Sequence, residues 1–287
     1  MSMQTSISNI VGVVILCAFI GLIAFAAALR IWGSWNDEWS GYNASLELSD
    51  GYCNIAILPV FGDILSYGGG NKDGITMESD LPPSVNPEDV EYLMQFAEAD
   101  PYVLGVLAEI DSYGGSGAGA ELIANRLKSS SLPVAASVRE SAISAGYLIA
   151  TGADTIFASP FSDVGSIGIT MSYLDNSLQN EDQGLEFISL ASGKYKDAGT
   201  PDKPLTAEER ALFERDLRIW HDVFVQAVAE NRNLRLADVQ ALADGSSMAA
   251  SLALQHGLID AIGTREDARA WFAEKLEIPV EEVVFCE

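Results

Sequence analysis

Histidine is almost missing from this chain: among 287 residues only His221 and His256 carry an imidazole. Neither suits a Ser-His-Asp triad. His221 falls within an amphipathic helical pattern, and His256 stands in ALQHGLID at a helix end, with no local triad context. Basic residues are scarce as well. The 16 Lys and Arg face 41 Asp and Glu, giving a net charge of −25. That balance argues against nucleic-acid binding, which needs clustered cations on phosphate. It favours solubility and repulsion between like chains. Three cysteines, Cys17, Cys53 and Cys286, show no metal-ligand spacing and no disulfide framework. A Cys53–Cys286 bridge is left open. There is no internal repeat and no low-complexity tail, and nothing in the sequence calls for a metal or a cofactor.

Charge is also absent from the N-terminal stretch. Ile10 to Leu29 is an uncharged, mostly apolar run of bilayer-spanning length. Arg30 is the first charged side chain, and Trp32, Trp35 and Trp39 follow as an interfacial aromatic belt would. A cleaved signal peptide is the rival, with Ala26-Ala27-Ala28 as a small-residue cleavage site. The run is long for that, and no Lys or Arg precedes it. The expected organisation is a tail (1–9), a transmembrane helix (10–29), a juxtamembrane linker (30–50) and a catalytic domain (51–287). Arg30 alone would put the C-terminal side in the cytoplasm.

Beyond the linker the chain alternates strands and helices. CNIAILPVFG (53–62) and VLGVLAEI (103–110) read as buried strands, and 66–87, rich in Gly and Pro, as a long loop. Asn86-Pro87-Glu88 opens a helix through Ala97. DSYGGSGAG (111–119) reads as a loop leading into the helix AELIANRLKS. Strands follow at 133–138, 155–159 and within 163–171. Thr206 with Glu209 makes a capping box for a helix to Asn231, with Leu212, Leu217, Trp220 and Phe224 as apolar anchors. Shorter helices are expected at 236–243, 249–256 and 265–276, and a closing strand at 280–286. This rhythm predicts an α/β fold with mostly parallel strands.

Two stretches carry chemistry. Ser144 sits where a β-branched run yields to a helix-forming one. There a serine is either an N-cap or a nucleophile beside unpaired backbone N–H groups. The glycines at 114, 115, 117 and 119 have three readings. A dinucleotide turn, with Glu140 as its ribose-binding acid, is disfavoured because the spacing is not G-x-G-x-x-G. A helix-entry turn would need glycine for its backbone alone. An oxyanion hole would use the N–H of Gly114 or Gly115. With no suitable histidine, a serine nucleophile needs another base, and SGKYKD (192–197) offers Lys194 and Lys196. A lysine base has to lose its proton below its usual pKa of about 10.4. Burial achieves that and nearby acids oppose it.

From about Cys53 to Ala268 the chain resembles the signal peptide peptidase A family of membrane-bound serine proteases. IDSYGG (110–115) resembles the family's Asn-Ser-Pro-Gly-Gly element, and ISAGY (143–147) its Ala-Ser-Gly-Gly-Tyr nucleophile element. VGSIG (164–168) is similar to Thr-Gly-Ser-Ile-Gly, and SGKYKD to Ser-Gly-x-x-Lys-Asp. PLTAEER (204–210) and the region 243–263 resemble its C-terminal helices. Three departures stand out: Tyr113 in place of proline, Ala145 in place of glycine, and SSMAAS (246–251) in place of Arg-Val-aromatic-Thr-Gly.

The resemblance implies an α/β fold of repeated ββα units, like Clp protease and crotonase, behind an N-terminal transmembrane helix. It implies Ser144 as nucleophile, Lys196 as general base, Ser166 as the hydroxyl that orients Lys196, and Gly114 and Gly115 at the oxyanion hole, with no cofactor. Remnant signal peptides and other membrane-released peptides, bound extended, are the implied substrates. The chain looks like the family's short form, in which a homo-oligomeric ring builds the sites and neighbouring chains can share a dyad. The family's catalytic domain is extracytoplasmic, against the Arg30 hint. Two alternatives differ in class. A silent membrane scaffold on the same fold would not cleave peptides, and a crotonase-like acyl-CoA enzyme would turn over thioesters without Ser144.

Overall fold

The computed structural model describes residues 49, 51–68 and 83–286. The expected tail and membrane span, nearly all of the linker, and the middle of the 66–87 loop lie outside the described residues. Among the described residues, no helix is long and apolar enough to cross a membrane.

Three long strands form the spine: β1 (Ile55–Ile64), β3 (Gly105–Gly115) and β4 (Val134–Ile143). Short strands extend it: β2 (Ser84–Val85), β5 (Thr155–Ala158), β6 (Asp163–Gly165), β7 (Ser247–Ala249), β8 (Ala261–Ile262) and β9 (Phe285–Cys286). The sheet order is β2-β1-β3-β4-β5-β8, with β9 on β1, β6 on β4 and β7 on β6. Among the described strands every pairing is parallel except β6 with β7. Parallel neighbours need crossovers, and helices supply them. These are α1 (Pro87–Ala99), α2 (Gly117–Lys128), α3 (Ala145–Ala150), α4 (Ser177–Asp182), α5 (Ala207–Asn231), α6 (Leu236–Leu242), α7 (Ala250–Gln255) and α8 (Arg265–Leu276).

Alternation along β3 divides the core. Val106, Ala108 and Ile110 pack with Met94 of α1, Ile123 and Leu127 of α2, and Tyr147 and Ile149 of α3. Leu107 points the other way, into a smaller cluster with Ile55, Phe157 and Phe272 of α8. Each Val, Leu, Ile, Met or Phe among them, fully buried, stabilises the fold by about 1.5–3 kcal/mol. Local signals set the helix starts. The Asn86 side chain accepts the Asp89 N–H at 3.0 Å, ahead of Pro87. Both halves of the Thr206–Glu209 capping box form.

The structure differs from the sequence reading at four places. Residues 111–115 are strand, not loop, because β3 continues pairing with β1 as far as Gly115. The strand expected within 163–171 stops at Gly165, where Gly165 (φ 98°) and Ser166 (φ 51°) turn the backbone left-handed. The closing strand shrinks to β9, preceded by a 3-10 turn over Val280–Glu282 whose cap is Pro279. Only the C-terminal half of α5 meets the core. Phe224 is buried, but the expected anchor Trp220 is exposed. Cys53, just before β1, is bonded to Cys286 in β9, with their Cα atoms 5.1 Å apart. The pairing Ile55↔Phe285 and Ala56↔Cys286 brings them together across 233 residues of chain.

Candidate active site

Ser144 occupies the turn between β4 and α3. It takes the N-cap position, yet its backbone is φ 54°, ψ −125° and its side chain makes no capping bond. An N-capping serine is extended and bonds the N–H two or three residues on; this one does neither. Positive φ is costly for a serine and persists only where surroundings fix it. Here the Ser144 N–H donates to Gly165 O on β6 at 2.8 Å, and its carbonyl accepts from Tyr147 and Leu148 at 3.0 and 3.1 Å. All six residues of α3 are buried, and the Tyr147 hydroxyl donates to Leu258 O at 2.9 Å. Burial pushes the Tyr147 phenol well above its ordinary range.

Gly114 lies against this serine. A Cβ on Gly114 would stand 3.0 Å from Ser144 Cβ, 3.3 Å from its Oγ and 3.4 Å from the Ala145 nitrogen. Gly114 has φ 113° and Gly115 φ 143°, and a Cβ on Gly115 would come within 2.3 Å of Ile64 O. Both positions therefore require glycine. The fully buried Ser112 joins the group. Its Oγ donates to Gly62 O at 2.6 Å and accepts the Gly114 N–H at 3.1 Å. Sequence reasoning passed over Ser112. The signals were a small polar residue two positions before the glycine pair and its match to the serine of the Asn-Ser-Pro-Gly-Gly element. The unpaired helix-start N–H groups expected beside Ser144 include that of Ala145, a first-turn donor with no partner inside its own helix.

Ser166 follows Gly165, whose carbonyl accepts the Ser144 N–H, but its own polar groups are bonded elsewhere. Its hydroxyl donates to Gly245 O at 2.9 Å, and its N–H to Ser246 O at 3.0 Å. Lys196 sits in an exposed turn, and among the described residues nothing pairs with its ammonium. The chain thus brings Gly114 to Ser144, sets Gly115 against Ile64, and gives neither Ser144 nor Ser166 a bond to Lys196. Lys194 is bonded to Glu208, which raises its pKa, the wrong direction for a base. The turn that carries Lys196 is tied to the start of α5. Lys203 Nζ lies 2.6 Å from Glu209 Oε1 and 3.9 Å from Asp197 Oδ1. His221 Nε2 lies 2.9 Å from Ala243 O, a backbone anchor rather than a catalytic contact. Among the described residues, no cluster of three His, Cys, Asp or Glu could hold a metal.

Residues 126–279 match the family model described as Peptidase family S49. A Methanocaldococcus jannaschii protein, MJ0651, is 33% identical over 178 residues, 61% of this chain and 57% of that protein. An Enterococcus faecium protein named as a signal peptide peptidase, SppA, is 34% identical over 174 residues, 60% of this chain and 51% of that one. The chain thus matches little more than half the length of these relatives. Among solved structures, a variant of the 1510-N membrane-bound stomatin-specific protease superposes with a TM-score of 0.51. It is 16% identical, over 81% of this chain and 96% of that chain, so the two share a fold.

Proposed function

Because the chain belongs to peptidase family S49, the signal peptide peptidase A family, we propose that it is a serine endopeptidase working through a Ser-Lys dyad. The observation that carries this reading is Ser144 itself, in a left-handed turn, uncapped, with its Oγ beside the backbone of Gly114. Ser144 Oγ attacks the peptide carbonyl. Lys196, neutral at that moment, takes the hydroxyl proton and later delivers it to the leaving amine. The negative charge on the carbonyl oxygen is met by backbone N–H groups of the Gly114–Gly115 segment and of Ala145. Ser166 spends its one proton on Gly245 O, so its lone pairs are left to accept from the Lys196 amine and fix its direction. Substrates lie extended, paired by backbone to a strand edge.

Lys196 reaches Ser144 from a neighbouring copy in a homo-oligomeric ring. The support is chemical. Every residue from Glu181 to Lys196 is exposed, among them Leu185, Phe187, Ile188 and Leu190. Apolar surface on that scale marks an interface, and covering it would strip water from the lysine and favour the neutral amine. The domain works outside the cytoplasm, tethered by residues 10–29. The Cys53–Cys286 disulfide supports that side, since such bonds persist in oxidising compartments, and it outweighs the single Arg30. Remnant signal peptides and other membrane-released fragments are the substrates.

Trapping with a peptidyl electrophile and mapping the adduct tests the reading. The adduct is expected on Ser144, and it should not form in Lys196→Ala. Labelling elsewhere, or an adduct formed equally well without Lys196, overturns the dyad. Acyl-CoA thioester turnover that survives Ser144→Ala would put the chain's chemistry in another class.

A further inference from the structure

Ser112 touches three glycines, Gly62, Gly114 and Gly146. It sits on β3 opposite Ala142 of β4, with no exposed surface. Its hydroxyl donates to Gly62 O in the irregular stretch of β1 and accepts the N–H of Gly114. Gly146 of α3 backs directly onto it, since a Cβ there would stand 3.1 Å from Ser112 Cβ and 3.3 Å from Oγ. An amide has one hydrogen. In the free chain that of Gly114 is committed to Ser112, 3.1 Å away. Yet Gly114 is the glycine that lies against Ser144.

We infer that Ser112 is a positioning residue that withholds the Gly114 N–H from a neutral substrate carbonyl and yields it to the charged tetrahedral oxygen. The inference rests on the peptidase reading and adds to it. Exchanging one neutral acceptor for another gains almost nothing, so a bound but unreacted carbonyl leaves the Ser112 bond in place. A charged acceptor bonds about twice as strongly, so the oxyanion draws the N–H across by turning the Tyr113–Gly114 peptide. That turn alters only ψ of Tyr113 and φ of Gly114. Glycine accepts either conformation. Tyr113 is 69% exposed, so no buried side chain need move with it. The bond then forms in the transition state and not before, so Ser112 keeps this N–H from adding to the affinity for unreacted substrate.

Kinetics of the full-length protein on a fluorogenic peptide, with Ser112→Ala and Ser112→Cys, test this. Removing the competing acceptor frees the N–H for the ground-state carbonyl. KM should fall roughly fivefold in Ser112→Ala, the worth of one neutral hydrogen bond, while kcat changes by less than about twofold. Ser112→Cys, similar in shape but a weaker acceptor, should fall between. A kcat/KM that drops in both variants, with KM level or raised, means a structural role and overturns the inference. Should Ser112→Ala not fold, crystal structures of the wild type with and without a peptide boronate decide. Gly114 N should leave Ser112 Oγ and bond the boronate oxygen; a Gly114 N–H still on Ser112 in the adduct overturns the inference alone. A boronate that forms no adduct on Ser144 sinks the peptidase reading and this inference with it.

Discussion

Ser144 and Lys196 stand on stretches of opposite character. Between Ser141 and Ala150 every residue but Ile143 and Ser144 is buried. The strained turn there is fixed from three sides, by Gly165, Gly114 and the α3 backbone. Between Glu181 and Lys196 every residue is exposed, the apolar Leu185, Phe187, Ile188 and Leu190 among them. A strained serine backbone needs surroundings that over-determine it, and the chain supplies them alone. A lysine base needs dry, apolar cover, and the chain presents the apolar surface without the cover. In the proposed enzyme the nucleophile is therefore a property of the fold, and the base is a property of the assembly.

The sharpest way to break this contrast is to divide the dyad between two proteins. Ser144→Ala and Lys196→Ala should each lose about a thousandfold or more in kcat/KM, the usual scale for dyad and triad members. Lys194→Ala should stay near wild type, since its amine is already given to Glu208. The two inactive variants, mixed under conditions that exchange subunits, should recover roughly a quarter of wild-type activity if each site draws serine and lysine from different copies. A mixture as dead as its components would place both groups in one chain and remove the contrast.

The next effect is on stability, and it separates the regions. Phe272→Ala, in the smaller core cluster, should cost about 3–5 kcal/mol and show as a large fall in melting temperature. Leu190→Glu, at a side chain 95% exposed in the single chain, should change monomer stability by no more than about 0.5 kcal/mol. It should nonetheless dissociate the oligomer in sedimentation and abolish cleavage. A Leu190→Glu protein that stays assembled and active would show that this apolar run is not an interface.

Much of the buried half was legible in the sequence. Strand and helix periods, Pro87 after Asn86, and the Thr206–Glu209 box are local signals, and the two helices with capping signals begin where those point, at Pro87 and Ala207. The strand-to-helix switch singled out Ser144, although its left-handed backbone depends on Gly165, a partner twenty-one residues on. What could not be read was non-local. Ser112 matters because of Gly62, fifty residues earlier, and Cys53 meets Cys286 only because β9 pairs with β1. Trp220 carried the right period for a core position. The core does not extend under that end of α5, and no pattern within one helix reports where its neighbour stops.

The smallest effect tests how the exposed half is tethered. Glu209 is nearly buried at the start of α5, bonded to Lys203 and to the Thr206 N–H and hydroxyl. Lys203 first, then the Thr206 N–H, hold its carboxyl down to about 2 from an ordinary value of 4.5. A depressed carboxylate stabilises the fold fully above its unfolded value and loses that contribution as pH falls toward its folded one. Glu209→Gln should therefore melt below wild type at pH 7, and the gap should close progressively as pH falls from about 4.5 toward 2. Because Lys203 also faces Asp197, next to the proposed base, the same variant should lower kcat modestly at pH 7 while labelling of Ser144 by a small electrophile proceeds. A melting gap unchanged across that window would mean that the carboxylate contributes shape and not charge, and that the turn that carries Lys196 is held by something other than this ion pair.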